Sequence, residues 1–224
     1  MRWQLSVGIP KIASNKKMLI LYGTGKQYEL GGSQENLTAE EKSYGNRIKN
    51  LDQRNTWFSC HETLRQILGN WFGKNPSEIE LNKNNFGRLY VPNSNLYFNL
   101  SHTDSSFLLG FSFDGKIGID LEYLSGREDL PSLIEYAFSP RETELCQQGN
   151  STENFLKIWT LKEAYLKAVG VGLVDQLKSI NVHGLVDNDI VIKQFNHQTF
   201  TCPNGETASV VYRNEKYIDY IWLR

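Results

Sequence analysis

Residues 96–124 read LYFNLSHTDSSFLLGFSFDGKIGIDLEYL, the most legible local structure in the chain. Asp114-Gly115 lies between two strand-like runs and is a strong signal for a two-residue hairpin. Counting outward sets Phe113 against Lys116, Leu109 against Asp120 and Phe107 against Glu122, within a slip of one or two residues. That register puts Ser101 and His102 near the end of the hairpin that carries the carboxylates. Side chains alternate along a strand, so Asp120 and Glu122 project together while Ile119 and Leu121 point the other way. Two like charges held that close call for a cation or a raised pKa, and a divalent metal is the simplest answer.

Outward from this segment, the 224 residues are 40% hydrophobic and 12% aromatic, enough for a buried core in one large or two small domains. With 24 basic against 25 acidic residues, the formal charge is -1. No global field marks a nucleic-acid or polybasic membrane binder, so an anionic ligand must be met by local cations. The start, MRWQLSVGIPKIASNKK, lacks a secretory pattern, and no run approaches the roughly 18 apolar residues that span a bilayer. The expected location is cytoplasmic. Cys60, Cys146 and Cys202 are widely spaced with no C-x-x-C pair, which argues against a disulfide framework and a zinc site.

MLILYG (18–23) reads as a strand, and Thr38 before Glu40 and Glu41 as a helix start. In TWFSCHETLRQILGNWFG (56–73), Trp57, Phe58, Leu64, Ile67, Leu68, Trp71 and Phe72 recur at helical spacing, with Gly69 or Gly73 as the stop. A last helix spans ENFLKIWTLKEAYLKAVGVGL (153–173) and stops at Gly170 or Gly172. Beyond it IVIKQF (190–195), ASVVYR (208–213) and YIDYIWL (217–223) are β-rich, with Pro203-Asn204-Gly205 as a turn. The expected architecture is α+β in two similar halves, 1–114 and 115–224, the second carrying the acidic residues.

Glu163 and Lys167 stand four apart on the last helix and share a face. Taken alone they make an ordinary surface ion pair. Set beside Asp120 and Glu122, Glu163 completes an oxygen site suited to Mg²⁺, and Lys167 reaches for a phosphate oxygen of the same ligand. His102 sits at a strand edge, where a structural histidine is the competing reading. Asn99 and Ser101 add polar groups to the same strand. Arg54, Arg65 and Arg88 are available cations for a more distant phosphate. Gly23-Thr24-Gly25-Lys26 is not a phosphate loop, because the first glycine and the final hydroxyl residue of that motif are missing. Ser101 and His102 are no catalytic dyad, since neighbouring strand residues face opposite ways.

Three segments in order, FNLSHTD (98–104), GIDLE (118–122) and WTLKEAYLKAVGVGL (159–173), resemble the signature blocks of the Sfp-type 4′-phosphopantetheinyl transferases. The resemblance implies two α+β halves related by a pseudo-twofold axis, with coenzyme A and Mg²⁺ (or Mn²⁺) in the cleft between them, in a monomer. It implies Asp120, Glu122 and Glu163 as metal ligands, and Glu163 either accepts the serine proton, directly or through a metal-bound water, or serves as a ligand alone. His102 and Lys167 match residues that contact the pyrophosphate, with Ser101 in the same ligand-binding segment. Arg88 falls where many relatives carry the lysine of a GKP segment, and Leu89 replaces the proline. Arg65 matches the last arginine of an ARGxLR-like helix, and His61 stands in for its first. The implied reaction moves the phosphopantetheine arm of coenzyme A to a serine of an apo carrier protein (acyl, peptidyl or polyketide) and releases adenosine 3′,5′-bisphosphate. A metal-dependent phosphoesterase and a non-catalytic carrier-binding protein are the alternatives.

Overall fold

A computed structural model describes residues 4–6, 18–26, 33–124, 126, 129–170, 177–180, 182, 195–214 and 217–223. The first part holds β1 (Gln4–Ser6), β2 (Met18–Thr24), α1 (Ala39–Asn46), α2 (Leu51–Phe72), β3 (Asn82–Lys83), β4 (Leu89–Tyr90), β5 (Tyr97–His102) and β6 (Ser106–Ser112). There follow β7 (Ile117–Glu122), α3 (Leu130–Ala137), α4 (Pro140–Cys146), α5 (Ser151–Val169), β8 (Asn196–Thr201), β9 (Thr207–Tyr212) and β10 (Ile218–Leu223).

The elements stack in four layers whose order follows from side-chain parity. A five-stranded sheet, ordered β1-β10-β2-β6-β5, has the apolar runs of β2 and β6 at its centre. Strands buried on both faces are expected to be continuously apolar. One face of this sheet, with Leu19, Leu21, Phe107, Leu109 and Phe111, packs on Cys60, Leu64, Ile67 and Leu68 of α2. The other face, with Met18, Ile20, Tyr22 and Leu108, meets Ile117, Ile119, Leu121, Ala208 and Val210 of a second sheet, ordered β7-β9-β8. Helix α5 covers the far side of that second sheet, where Val211 joins Phe155, Ile158, Leu161 and Ala164. The molecule is therefore α+β.

Local chemistry sets the helix ends. Thr38 and Glu41 form a reciprocal capping box at the start of α1, and Asn50 and Asn150 accept the Gln53 and Glu153 N–H groups at the starts of α2 and α5. Gly73 (φ 62°) and Gly170 (φ 86°) close α2 and α5 in the left-handed conformation, so Gly69 lies inside its helix. The turn at Pro203-Asn204-Gly205 joins β8 to β9, with the Cys202 N–H donating to the Glu206 carbonyl at 2.8 Å.

One expectation is overturned. Asp114-Gly115 connects β6 to β7 but closes no hairpin, because the two strands belong to different sheets. Both edges of β6 are already taken: Leu109 lies opposite Leu100 and Leu21, and Phe107 opposite His102 and Gly23. Strand β7 pairs instead with β9, Asp120 opposite Ser209 and Glu122 opposite Thr207. The chain turns a corner between layers, which buries Ile117, Ile119 and Leu121 against the first sheet.

Helices α3 and α4 and strands β1 and β8 have no counterpart in the sequence reading, and residues 190–194 of the expected IVIKQF strand lie outside the described residues. The last strand, β10, crosses back from the end of the chain to lie between β1 and β2, parallel to both. Among the described residues no helix is long and apolar enough to cross a membrane.

Behind α5, a buried ion pair ties three helices together. Lys162 Nζ stands 2.7 Å from Glu142 Oε2, with both side chains at most 1% exposed. The ammonium also donates to the Ala137 and Leu177 carbonyls, while Glu142 accepts the N–H groups of Ser139 and Val182. Full satisfaction of both charges makes such a pair tolerable inside a core.

Candidate active site

Gly118, Asp120 and Glu122 share the face of β7 that is turned toward α5. The approach is close: a Cβ on Gly118 would stand 2.0 Å from the Ala164 carbonyl oxygen and 2.2 Å from the Ala168 nitrogen. That contact lays the turn of α5 bearing Glu163 and Lys167 beside the strand carboxylates. Lys167 Nζ lies 2.7 Å from Asp120 Oδ1 and donates to Ser101 Oγ at 3.1 Å. Ser101 Oγ donates in turn to Asp120 Oδ1 at 3.0 Å. Asn99 Oδ1 accepts the Ile119 N–H at 2.9 Å and fixes β5 to β7 across the layers. The pairing of Ser101 with Asp120 thus arises from layer packing rather than from a hairpin.

The charge balance at this point is uneven. Three carboxylates face one ammonium, and Asp120, 3% exposed, leaves Oδ2 buried without a hydrogen-bond partner, as Glu163 leaves Oε1. Burial, then the Asp120 charge, raise the Glu163 pKa against the pull of Lys167. Burial and the neighbouring Asp120 push Glu122 up to about 7, despite Lys167 and a hydrogen bond from Trp159. Two orphaned oxygens and two strained acids fit a hard divalent cation, which takes oxygen donors of this kind. Among the described residues no three such side chains are already gathered around one point, and Lys167 holds Asp120 at Oδ1, the oxygen that Ser101 also reaches.

A cavity of about 840 Å³ opens beside the acidic cluster, and Glu163, Lys167 and His102 form one end of its wall. Enclosure, then the nearby His61 and Lys167, lower the His102 pKa and favour the neutral ring. The other end is aromatic and charged, with Tyr44, Trp57, His61, Arg47 and Arg65. His61 stacks on Trp57 with ring centroids 3.9 Å apart, and burial lowers its pKa. Its Nδ1 stands 3.8 Å from Glu41 Oε1, beyond hydrogen-bond reach.

The three arginines fare differently. Arg65 lies on the wall, but its Nε donates to Glu41 at 2.5 Å and its Nη1 to the Pro76 and Ile79 carbonyls. Arg88 also lines the cavity and donates to the carbonyls of Lys167, Phe98 and Ile117. Arg54, in the first turn of α2, is not among the lining residues.

The sequence reading missed the carboxylate that neutralises Arg65 and the aromatic end of the cavity. Trp57 counted only as an apolar helix position. Trp159, four residues before Glu163, puts an indole donor on the acidic face of α5.

Fold and site together define an α+β protein with an oxygen-donor cluster at the mouth of an aromatic and basic cleft. Residues 116–218 match the family model described as the 4′-phosphopantetheinyl transferase superfamily. The chain is 35% identical over 153 residues to the 4′-phosphopantetheinyl transferase HetI of a Nostoc species, covering 65% of this chain and 64% of that one. It is 26% identical to a putative 4′-phosphopantetheinyl transferase of a Synechocystis species (66% and 63% covered) and 25% identical to a 4′-phosphopantetheinyl transferase of Bacillus subtilis (83% and 82%). The aligned stretch spans less than two thirds of the length of the first two of these relatives. The matched stretch, residues 116–218, includes the acidic pair of β7 and all of α5, so the similarity to the 4′-phosphopantetheinyl transferases falls on the site itself.

Proposed function

We propose that the protein transfers the 4′-phosphopantetheine arm of coenzyme A to a serine hydroxyl of an apo carrier protein. The observation that carries this reading is the meeting of Asp120, Glu163 and Lys167 at the mouth of a cavity large enough for a nucleotide-bearing thiol. The family match and the names of the relatives support the substrate pair.

In the reaction the serine oxygen forms a bond to the β-phosphorus of coenzyme A, and the bond from that phosphorus to the bridging oxygen breaks. Adenosine 3′,5′-bisphosphate leaves with the electron pair. Asp120, Glu122 and Glu163 would hold a divalent cation, Mg²⁺ or Mn²⁺, which when bound supplies positive charge to the pyrophosphate. Lys167, released from Asp120, turns its ammonium to the same oxygens, and His102 donates from the adjoining strand. Glu163, whose Oε1 has no hydrogen-bond partner, accepts the serine proton. The aromatic end of the cleft receives the nucleotide. The enzyme acts as a monomer in the cytoplasm.

Incubation with coenzyme A, Mg²⁺ and an apo carrier domain tests the reading by mass spectrometry. The expected result is a carrier heavier by one phosphopantetheine group. Release of phosphopantetheine without any carrier would mark a phosphoesterase, and carrier binding without turnover a non-catalytic protein.

A further inference from the structure

The Arg88 guanidinium spans three elements. Its Nη1 donates to the Lys167 carbonyl at 2.6 Å, and its Nη2 to the Ile117 carbonyl at 2.9 Å and the Phe98 carbonyl at 3.2 Å. Lys167 lies in the last turn of α5, where the final carbonyls lack helical partners and a cation is favoured by the helix dipole. Ile117 opens β7 and Phe98 belongs to β5, the strand that carries Ser101 and His102. Both N–H groups of Nη2 are thus spent on main chain, and the fork that an arginine offers to a phosphate is engaged. Burial lowers the pKa of this guanidinium, whose three hydrogen bonds all go to neutral carbonyls.

We propose that Arg88 is a positioning residue that clamps the last turn of α5 to β5 and β7, and is not a ligand of a substrate phosphate. The clamp sets the distance at which Lys167 meets Asp120 and Ser101. A lysine cannot replace it, because one ammonium cannot occupy the places of both Nη1 and Nη2. The inference rests on the transferase reading and deepens it.

Transfer kinetics, calorimetry with adenosine 3′,5′-bisphosphate and thermal melts on wild type, Arg88→Lys and Arg88→Met test the clamp. In both variants kcat should fall by about 10- to 100-fold, as expected for a displaced reacting group, with affinity for the bisphosphate within about 2-fold of wild type. Melting of Arg88→Lys should stay close to wild type. Bisphosphate binding weakened about 10-fold or more at unchanged kcat would overturn the proposal. A second measurement needs no variant: phenylglyoxal, an arginine reagent, is applied to wild type and the modified sites are read by mass spectrometry. Arg88 should stay unmodified with or without the bisphosphate, while exposed Arg47 reacts. Modification of Arg88 that the bisphosphate prevents would make it a ligand. If wild type transfers nothing, the transferase reading fails, and the footprint still decides the role of Arg88.

Discussion

Glu163 holds a buried carboxylate oxygen with no hydrogen-bond partner, close to the negative charge of Asp120. Such a group burdens the fold unless a cation shares it. Glu163→Gln, of nearly the same shape, should therefore melt higher than wild type in chelator, and Mg²⁺ should raise the melting temperature of wild type but not of the variant. Equal Mg²⁺ stabilisation of both would remove Glu163 from the cation site. Transfer by the variant should drop by about 100-fold or more, measured on the carrier by mass spectrometry.

Glu41 shows the opposite balance. Burial alone would raise its pKa, but contacts with His61 and Arg65 and the Thr38 N–H outweigh it and bring the group to about 2. Because His61 stands off at 3.8 Å, Arg65 and Thr38 carry most of this. A depressed pKa stabilises the fold above the ordinary value of 4.5, and that contribution is lost as pH falls toward 2. Urea unfolding should show Glu41→Gln less stable than wild type by about 2 kcal/mol at neutral pH, after allowance for solvent screening. The gap should close toward pH 2. A gap independent of pH would mean that shape, not charge, accounts for the effect.

At the scale of elements, the contact of β7 with α5 governs the site. Gly118→Ala would drive a methyl into helix backbone, since both nearest atoms are main chain. The helix must move or the strand must bend, at a cost of several kcal/mol, on the order of other severe overpacking. Denaturant unfolding should show this loss together with abolished transfer, and normal stability in the variant would refute the close approach. Helices α1, α2 and α5 are legible because their signals are local: Thr38 with Glu41, and glycines at 73 and 170. The hairpin was misread for the complementary reason. Asp114-Gly115 permits a reversal, but whether two strands pair depends on free edges, and β2 and β5 had already filled those of β6. Nothing in the local sequence marks Lys162 as half of a buried ion pair. Its partner Glu142 lies 20 residues earlier, on a short helix whose sequence shows little periodicity.

For the whole molecule, the decisive feature is that β10, the last strand among the described residues, joins β1, the first, to β2 in one sheet. Deleting β10 would strip β1 of its partner and expose the edge of β2, whose residues are almost all buried. A chain truncated before Ile218 should lose its cooperative melt and aggregate through that edge. A cooperative transition near that of the full chain would show the strand to be dispensable.

Alternation along GIDLE put Asp120 and Glu122 on one face, and helical spacing put Glu163 and Lys167 on another, so the sequence by itself determined which groups act together within each element. Which elements meet was decided only in three dimensions. Ser101 reaches Asp120, Arg65 is neutralised by Glu41, and Arg88 is drawn onto carbonyls because four layers pack in one order. Periodicity is a property of neighbours along the chain, whereas layer order comes from burying all apolar faces at once.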